Sequence, residues 1–425
     1  KWNDVYRMVK NGDLDASLLK TGCENLKAAR ERATHVMEGF KESFGATEDT
    51  MVALCSAPGR TEICGNHTDH QHGRVLAAAV NLDFLACVAL NGTSVVHFQS
   101  EGWPMTIVDL SDLKVQEAEK ETTASLVRGV LAQLAQGGYK VAGFDMYAVS
   151  SVLPGSGLSS SAACEVLLGT AGNHLFCGDA YDAVTIARIG QKAENIYFGK
   201  PSGLMDQTAS SVGDTVAIDF ENPEAPVVRP IEANLEGLGL ALCIIDCGAD
   251  HAALTGEYAS IPQEMCQVAA YFGKKVLREV KEEDVLANLS ALRQKVGDRA
   301  VLRALHFYAD DQRAVEEADA LESGEKETFL NLVKESGRSS WELLQNITPA
   351  AAVVHQDMAI ALTVAEKALN GEGACRVHGG GFAGTIQAFV PLDKVSVFKK
   401  TVESMLGEGC CHVLSIRPAG GLVLE

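Results

Sequence analysis

Apolar residues at Leu26, Ala29, Ala33, Met37 and Phe40 recur at spacings of three and four, which predicts a helix over residues 23–44 with one apolar face. A shorter polar helix is expected before it, around residues 4–9. Runs rich in Val, Leu and Ala at 51–55, 75–80, 85–90 and 95–98 then predict strands, with Asn91-Gly92 as a hairpin turn between the last two. Helical patterns follow at 122–136, 160–177 and 180–198, and a strand-like run at 144–150 separates the first two. A fresh alternation begins near residue 213: strands at 213–219 and 240–246, a long charged helical stretch at 256–296, a helix at 326–345 and a strand at 385–390.

At 425 residues the chain exceeds what one hydrophobic core usually serves. We therefore expect a helical extension over 1–48 and two mixed α and β domains, 49–215 and 216–425, with no internal repeat. Hydrophobic residues at 47% and charged residues at 22% fit a packed globular chain. No run approaches the roughly 18 apolar residues of a membrane span, and no signal-like stretch follows the charged first residues, so a cytoplasmic protein is expected. The twelve cysteines scatter through apolar segments without Cys-x-x-Cys spacing, which predicts buried free thiols.

A formal net charge of −20 disfavours nucleic acid and anionic membrane as partners. The expected partners are small molecules, and the chain itself is expected to be a monomer or a weak homo-oligomer. An anionic ligand would need positive potential supplied locally. Four segments could do so or could bind it.

Val152-Leu153-Pro154-Gly155-Ser156-Gly157-Leu158-Ser159-Ser160-Ser161-Ala162-Ala163 passes from an apolar strand through a Gly-rich turn into a helix. Glycines let backbone N–H groups approach an anion, and a helix start offers unpaired donors and a positive dipole end. A Ser-rich helix cap is the plainer alternative. A Walker loop fails for want of Gly-Lys-Ser/Thr, a dinucleotide fingerprint needs glycine at Ser160, and a nucleophile elbow lacks its last glycine.

The stretch from Ala57 to Gly73 packs Arg60, Asn66, His67, Asp69, His70 and His72 between apolar runs. Such residues can hydrogen-bond a sugar, bind a transition metal, or form a solvated turn. In the third segment, a break at 199–203 between two helices could fold Glu194 toward Asp206; both could equally be surface acids, one at a helix start. The fourth, His378-Gly379-Gly380-Gly381-Phe382-Ala383-Gly384-Thr385, is a flexible loop of the kind that approaches a ligand or another backbone closely.

Together, in this order, the four segments resemble the GHMP small-molecule kinases and within them the galactokinase group. Ala57-Pro58-Gly59-Arg60 with Gly65-Asn66-His67-Thr68-Asp69 is similar to the sugar signature, 155–163 to the phosphate loop, Gly203-Leu204-Met205-Asp206-Gln207 to the segment of the catalytic aspartate, and 379–384 to the third Gly-rich motif. The resemblance implies an α+β, two-domain architecture with the active site in the interdomain cleft. It implies an ATP- and Mg²⁺-dependent transfer of the γ-phosphoryl group to the C1 hydroxyl of α-D-galactose, giving galactose 1-phosphate.

Carried onto this chain, the resemblance makes Asp206 the group that receives the hydroxyl proton and Arg60 the cation that keeps it ionised. Glu194 and Ser161 would hold Mg²⁺. Gly155, Ser156, Gly157, Leu158, Ser159, Ser160 and Ser161 would line the nucleotide, and Asn66, His67, Asp69, Gly203 and Tyr258 the sugar.

Several positions depart from the pattern. Asn66 stands where glutamate is usual, His70-Gln71-His72 replaces the usual run, Arg74 follows Gly73, Ala383 and Thr385 replace Gly and Cys, and Thr123 stands where an aromatic would meet adenine. An amide at Asn66 facing C6 would repel galacturonate less than a carboxylate would, which makes galacturonate a rival acceptor. N-acetylgalactosamine is another, and a non-catalytic sugar-sensing relative is the rival of a different class.

Overall fold

The structure is a computed structural model and describes residues 1–152, 157–248 and 254–425. Twelve strands form two sheets among the described residues. The first is built on two long neighbours, β1 (Ala53–Cys64) and β2 (Arg74–Leu90), which pair antiparallel from Ala53↔Val88 to Cys64↔Leu76. The ladder shifts register between Pro58 and Arg60 and again between Glu62 and Cys64. Proline has no N–H for a ladder, so a bulge is where a strand can carry one.

That arrangement corrects two expectations. Residues 57–64 are strand and not loop, because the bulges absorb Pro58-Gly59 without ending the pairing. The runs at 75–80 and 85–90 are one strand, because the polar interruption between them is bonded. Asn81 exchanges hydrogen bonds with the Ser415 backbone, and the Asp83 carboxylate accepts from Arg417 Nη1 at 2.8 Å and from Arg32 and Ser56.

The remaining strands of this sheet are β3 (Val95–Ser100), β4 (Thr106–Asp109), β5 (Phe144–Ser150), β6 (Thr215–Asp219), β7 (Val227–Ile231) and, from the far end of the chain, β12 (Leu422–Leu424). The order is β12-β1-β2-β5-β3-β4, with β6 also on β2 and β7 on β6; β3 and β5 are parallel and the other pairs antiparallel. The length of β2 lets its two halves host different neighbours, Arg74–Ala78 pairing β6 and Phe84–Leu90 pairing β5. The expected division at residue 215 therefore cuts through this sheet, since β6, β7 and β12 all belong to it. The second sheet, β11-β8-β10-β9, is antiparallel and comprises β8 (Leu240–Asp246), β9 (Ala374–Val377), β10 (Thr385–Pro391) and β11 (Cys411–Leu414).

Strand periodicity divides the first sheet into two cores. Leu54, Leu85, Cys87, Tyr147 and Val149 face the N-terminal helices, meeting Trp2, Val9, Leu14, Leu18, Val36, Met37 and Phe40. Their alternates Cys55, Ala57, Ala86, Val88, Met146 and Ala148 face Leu126, Val130, Val166 and Leu167 on helices Thr123–Gln136 and Ser160–Cys177. The second of these is buried nearly all round, as a central helix must be, and its bounds are those read from the sequence.

Another helix, Asp298–Glu322, lies between the two sheets and was not anticipated, since the charged stretch was expected to end at 296. It buries His306, Asp310 and Asp311 against partners distant in sequence, and these polar positions interrupt its apolar stripe of Ala300, Ala304, Phe307, Ala314, Ala318 and Leu321. All twelve cysteines are free and buried or half-buried, as expected. No helix among the described residues is long and apolar enough to cross a membrane.

The N-terminal helices are part of the folded unit, with Phe40 only 1% exposed in their core. Phe40→Ala is expected to cost about 3–5 kcal/mol in denaturant unfolding. Ligand affinity of the folded fraction should not change.

Candidate active site

The Gly-rich turn and the helix after it meet β1 and the third glycine motif. Gly155 and Ser156 lie outside the described residues. At Gly157 φ is 70°, and a Cβ there would stand 2.8 Å from Thr385 Oγ1 and 3.1 Å from His378 Nδ1, so only glycine lets the turn lie so close. Leu158 is buried, and its carbonyl accepts from the Arg60 N–H at 3.0 Å. Ser159 takes a left-handed conformation at φ 58° and its hydroxyl donates to Asp206 Oδ2. Ser160 and Ser161, half-exposed, open the helix, whose first N–H groups have no partner within it.

Arg60, just past the first bulge of β1, reaches Asp206 in the opening turn of helix Met205–Val212. Its Nε donates to Asp206 Oδ1 at 2.8 Å and its Nη1 to the Gly157 carbonyl at 2.5 Å. Arg60 is 7% exposed and Asp206 27%. Burial would raise the Asp206 pKa, but the Arg60 charge and hydrogen bond, the Ser159 hydroxyl and the Lys200 charge outweigh it and hold the carboxyl at about 2. Asp206 is therefore an anion at neutral pH.

Glu194 sits in a π-helical turn, Ala193–Phe198, that ends at Gly199 in a left-handed conformation. Only 3% exposed, it accepts from Ser161 Oγ at 3.2 Å, Lys200 Nζ at 3.3 Å, Gln207 Nε2 at 3.0 Å and the Ser202 hydroxyl. Below it Glu165, fully buried, accepts from the same Gln207 side chain at 2.9 Å. Burial, and then the Glu194 charge, push the Glu165 pKa well up, which favours its protonated form. No group of three or more His, Cys, Asp or Glu among the described residues is arranged to hold a metal. The oxygen pair of Glu194 and Ser161 instead fits a hard cation whose remaining ligands come from phosphates and water, the usual state of Mg²⁺.

Among the proposed sugar residues His67 and Tyr258 meet the third glycine motif and Asp69 meets Gly203, whereas Asn66 is enclosed by the protein. His67, at φ 62°, faces the Gly380 carbonyl with Nε2 at 2.9 Å, which makes that nitrogen the protonated one of a neutral ring; burial pushes its pKa down to about 3. Asp69 is half-buried with Oδ1 on the His70 N–H, and its carboxylate occupies the space a Cβ at Gly203 would need. Tyr258 donates to the Gly381 carbonyl at 2.9 Å, packs on Gly380 and meets Phe382 edge-on.

Asn66 is the exception and a correction. Its side chain is 0% exposed; Nδ2 donates to Glu62 Oε1 and the Gly379 carbonyl, and Oδ1 accepts from Asn346 and Ser340. With its polar atoms all taken by the protein, it has no surface for a sugar, and it braces the loop that carries Gly379.

Other site residues escaped the sequence reading. His378, 2% exposed, bridges Thr61 on β1 (Nε2 to Oγ1, 3.0 Å) and Thr385 on β10 (Nδ1 to Oγ1, 2.9 Å) beneath Gly157. Glu165 was visible as the lone carboxylate of an otherwise apolar helix. Lys200 had only its position, between the break and Pro201, to mark it.

Two sheets in a mixed α+β chain, with a Gly-rich turn and helix start against an arginine-held aspartate, make up the fold and site of a GHMP kinase. The model of the GHMP kinases N terminal domain matches residues 125–214, and the galactokinase galactose-binding signature matches residues 38–90. The galactokinase of Streptomyces coelicolor is 30% identical over 370 residues, 87% of this chain and 91% of its own length; that of Glaesserella parasuis is 30% identical over 376 residues, 85% and 91%. The crystal structure of the Lactococcus lactis galactokinase complexed with galactose superposes with a TM-score of 0.77 at 26% identity, covering 91% of this chain and 98% of that one. A mevalonate kinase at 14% identity, TM-score 0.60, shares the fold. The chain belongs to the galactokinase family of GHMP kinases.

Replacing the arginine tests the electrostatics directly. A depressed carboxyl contributes stability that is full above its unfolded pKa, 3.8 for aspartate, and lost as pH falls through about 2. In Arg60→Met only the Ser159 hydroxyl and the Lys200 charge still oppose burial, so the Asp206 pKa should rise and up to about 2 kcal/mol of stability should vanish at pH 5. Carboxyl NMR titration and denaturant unfolding between pH 2 and 6 check both.

Proposed function

We propose that this chain transfers the γ-phosphoryl group of ATP to the C1 hydroxyl of α-D-galactose, with Asp206 accepting the hydroxyl proton. The observation that carries this is the joint hold of Arg60 and Ser159 on Asp206, at the start of the helix that opens with Ser160 and Ser161. The bond from the sugar oxygen to phosphorus forms as the bond from phosphorus to the β,γ-bridging oxygen breaks. Galactose 1-phosphate and ADP leave, and the proton passes from Asp206 to solvent.

A carboxyl held at about 2 is a weak base, so Asp206 orients the hydroxyl first and takes its proton late, as charge on the sugar oxygen falls. Such timing suits phosphoryl transfer, where positioning and electrostatics do most of the work. The phosphates would lie on the amides of Gly157, Leu158 and the helix start, with Ser159 and Ser160 beside them. Ser161 and Glu194 would hold Mg²⁺. Held there, the ion would offset the charge of the phosphate oxygens.

His67, Asp69, Gly203 and Tyr258 are assigned to the sugar. Galacturonate loses its support, since it rested on Asn66 facing C6, and Asn66 faces Glu62 and Gly379. The intact acid–arginine–serine cluster favours a catalyst over a non-catalytic sensor. Because the reaction consumes ATP, the cytoplasm remains the expected compartment.

ADP release measured over galactose, N-acetylgalactosamine, galacturonate and arabinose should be fastest with galactose. No turnover on any of them overturns the kinase assignment; turnover on galacturonate alone overturns the substrate. Asp206→Asn should lower kcat by about 10²- to 10⁴-fold. Calorimetry should find its galactose affinity nearly unchanged.

A further inference from the structure

The nucleotide's terminal phosphate must enter a cleft already lined by Asp206, Glu194 and Asp69, in a chain of net charge −20. Arg60 is largely engaged within the protein. Its Nε is committed to Asp206 and its Nη1 to the Gly157 carbonyl, and its side chain is 7% exposed.

Lys200 is placed differently. Its backbone N–H is tied to the Glu194 carbonyl at 3.2 Å, and Pro201 after it restricts its backbone to extended conformations. The chain is thus fixed while the side chain, 60% exposed, extends toward the cleft. Its Nζ lies 3.3 Å from Glu194 Oε1, the same oxygen that accepts from Ser161 Oγ at 3.2 Å. The ammonium and the Ser161 hydroxyl, in the first turn of the proposed phosphate helix, thus share one carboxylate oxygen. Burial would lower its pKa, but the charges of Glu194 and Asp206 raise it, and Lys200 in turn helps to hold Asp206 ionised. It lies within electrostatic reach of both the proposed metal carboxylate and the proposed base, the two ends of the phosphoryl group's path.

We propose that Lys200 is a further catalytic residue, whose ammonium contacts the γ-phosphoryl oxygens of ATP and follows them during transfer to the sugar. The proposal rests on the phosphoryl-transfer reading above. Lys200 forms no covalent bond and gives up no proton. Its three donors bind oxygens whose charge redistributes as the bond to the bridging oxygen breaks, a compact point charge suited to phosphate. In the absence of nucleotide, Glu194 holds the ammonium in place.

The test uses the full chain with Lys200→Met and Lys200→Arg. Binding of ADP and of the β,γ-imido analogue of ATP is measured by calorimetry in EDTA, so that no metal contributes. Lys200→Met should lose about tenfold in affinity for the analogue, the scale of one charged hydrogen bond, and under twofold for ADP. Lys200→Arg should recover most of the loss. In the Mg²⁺-dependent assay Lys200→Met should lower kcat by about 10- to 100-fold with the KM for galactose unchanged.

Equal losses for both nucleotides, or none, overturn the proposal. So does a Lys200→Met variant that binds Mg²⁺ more tightly at unchanged analogue affinity, for the lysine would then only fill the metal's place. A wild-type chain inactive on every sugar would sink the proposed function, while the analogue-to-ADP comparison would still report on Lys200.

Discussion

A carboxylate held charged where burial favours its acid form needs a cation that cannot leave, and Asp206 has one in Arg60. Side chains 146 positions apart meet at 2.8 Å only because each is fixed by its own backbone. The β1 bulge between Pro58 and Arg60 re-aims the arginine, and the opening turn of helix Met205–Val212 presents the aspartate. The same guanidinium donates to Gly157, and the Arg60 amide donates to Leu158, so the phosphate turn is fastened to the residue that sets the charge of Asp206. Ser159 closes the ring at a left-handed φ that turns its hydroxyl onto the aspartate. A shift in any one of these parts would move the others. The pieces of a phosphoryl-transfer site are therefore coupled before any ligand arrives.

A buried polar seam runs beside the apolar cluster that joins the two sheets. Arg376, 1% exposed, donates to the Ile63 carbonyl and pairs with Glu62 at 3.2 Å; Asp310 accepts from the amides of Gly65 and Asn66; His306 lies between the Asn66 carbonyl and Ser339. Burial raises the Glu62 pKa to about 7 against the lowering charges of Arg376 and Arg60. Buried pairs of this kind contribute little net stability, because desolvation offsets the attraction. Their directionality is the useful property: an apolar interface tolerates sliding, whereas donors and acceptors in register do not. The seam fixes β9, β10 and the glycine motif against β1. His378, between Thr61 and Thr385, extends that registration to the floor of the phosphate turn.

The same seam explains what the sequence could and could not reveal. Local pattern sufficed for strand Phe144–Ser150 and helix Ser160–Cys177, whose partners are apolar and whose ends carry ordinary signals. It failed for helix Asp298–Glu322, where His306, Asp310 and Glu317 stand at buried positions with partners hundreds of residues away or none nearby. It failed likewise at Asn81–Asp83, where Ser415 and Arg417 from the chain's end supply the bonds that keep β2 whole. Arg60 and Asp206 could be named from motif resemblance, but their contact could not. Asn66 was misjudged because a polar residue in a sugar signature invites a ligand, and only the fold reveals that Glu62, Asn346 and Gly379 already occupy it.

Charge placement gives the cleft its direction. A strongly anionic protein repels ATP at long range, where charges sum, yet screening confines that repulsion to about 10 Å at moderate salt. Inside that distance the nearest groups decide, and in the cleft these are amide donors at a helix start, a mostly exposed ammonium at Lys200 and a carboxylate–hydroxyl pair able to carry a divalent cation. Arg60 is offset by its pairing with Asp206. On the proposed assignment the buried cation sets the charge of the base that meets the acceptor hydroxyl, while the accessible positive groups would meet the donor phosphates, so that the two ends of the transfer are served by separate charges.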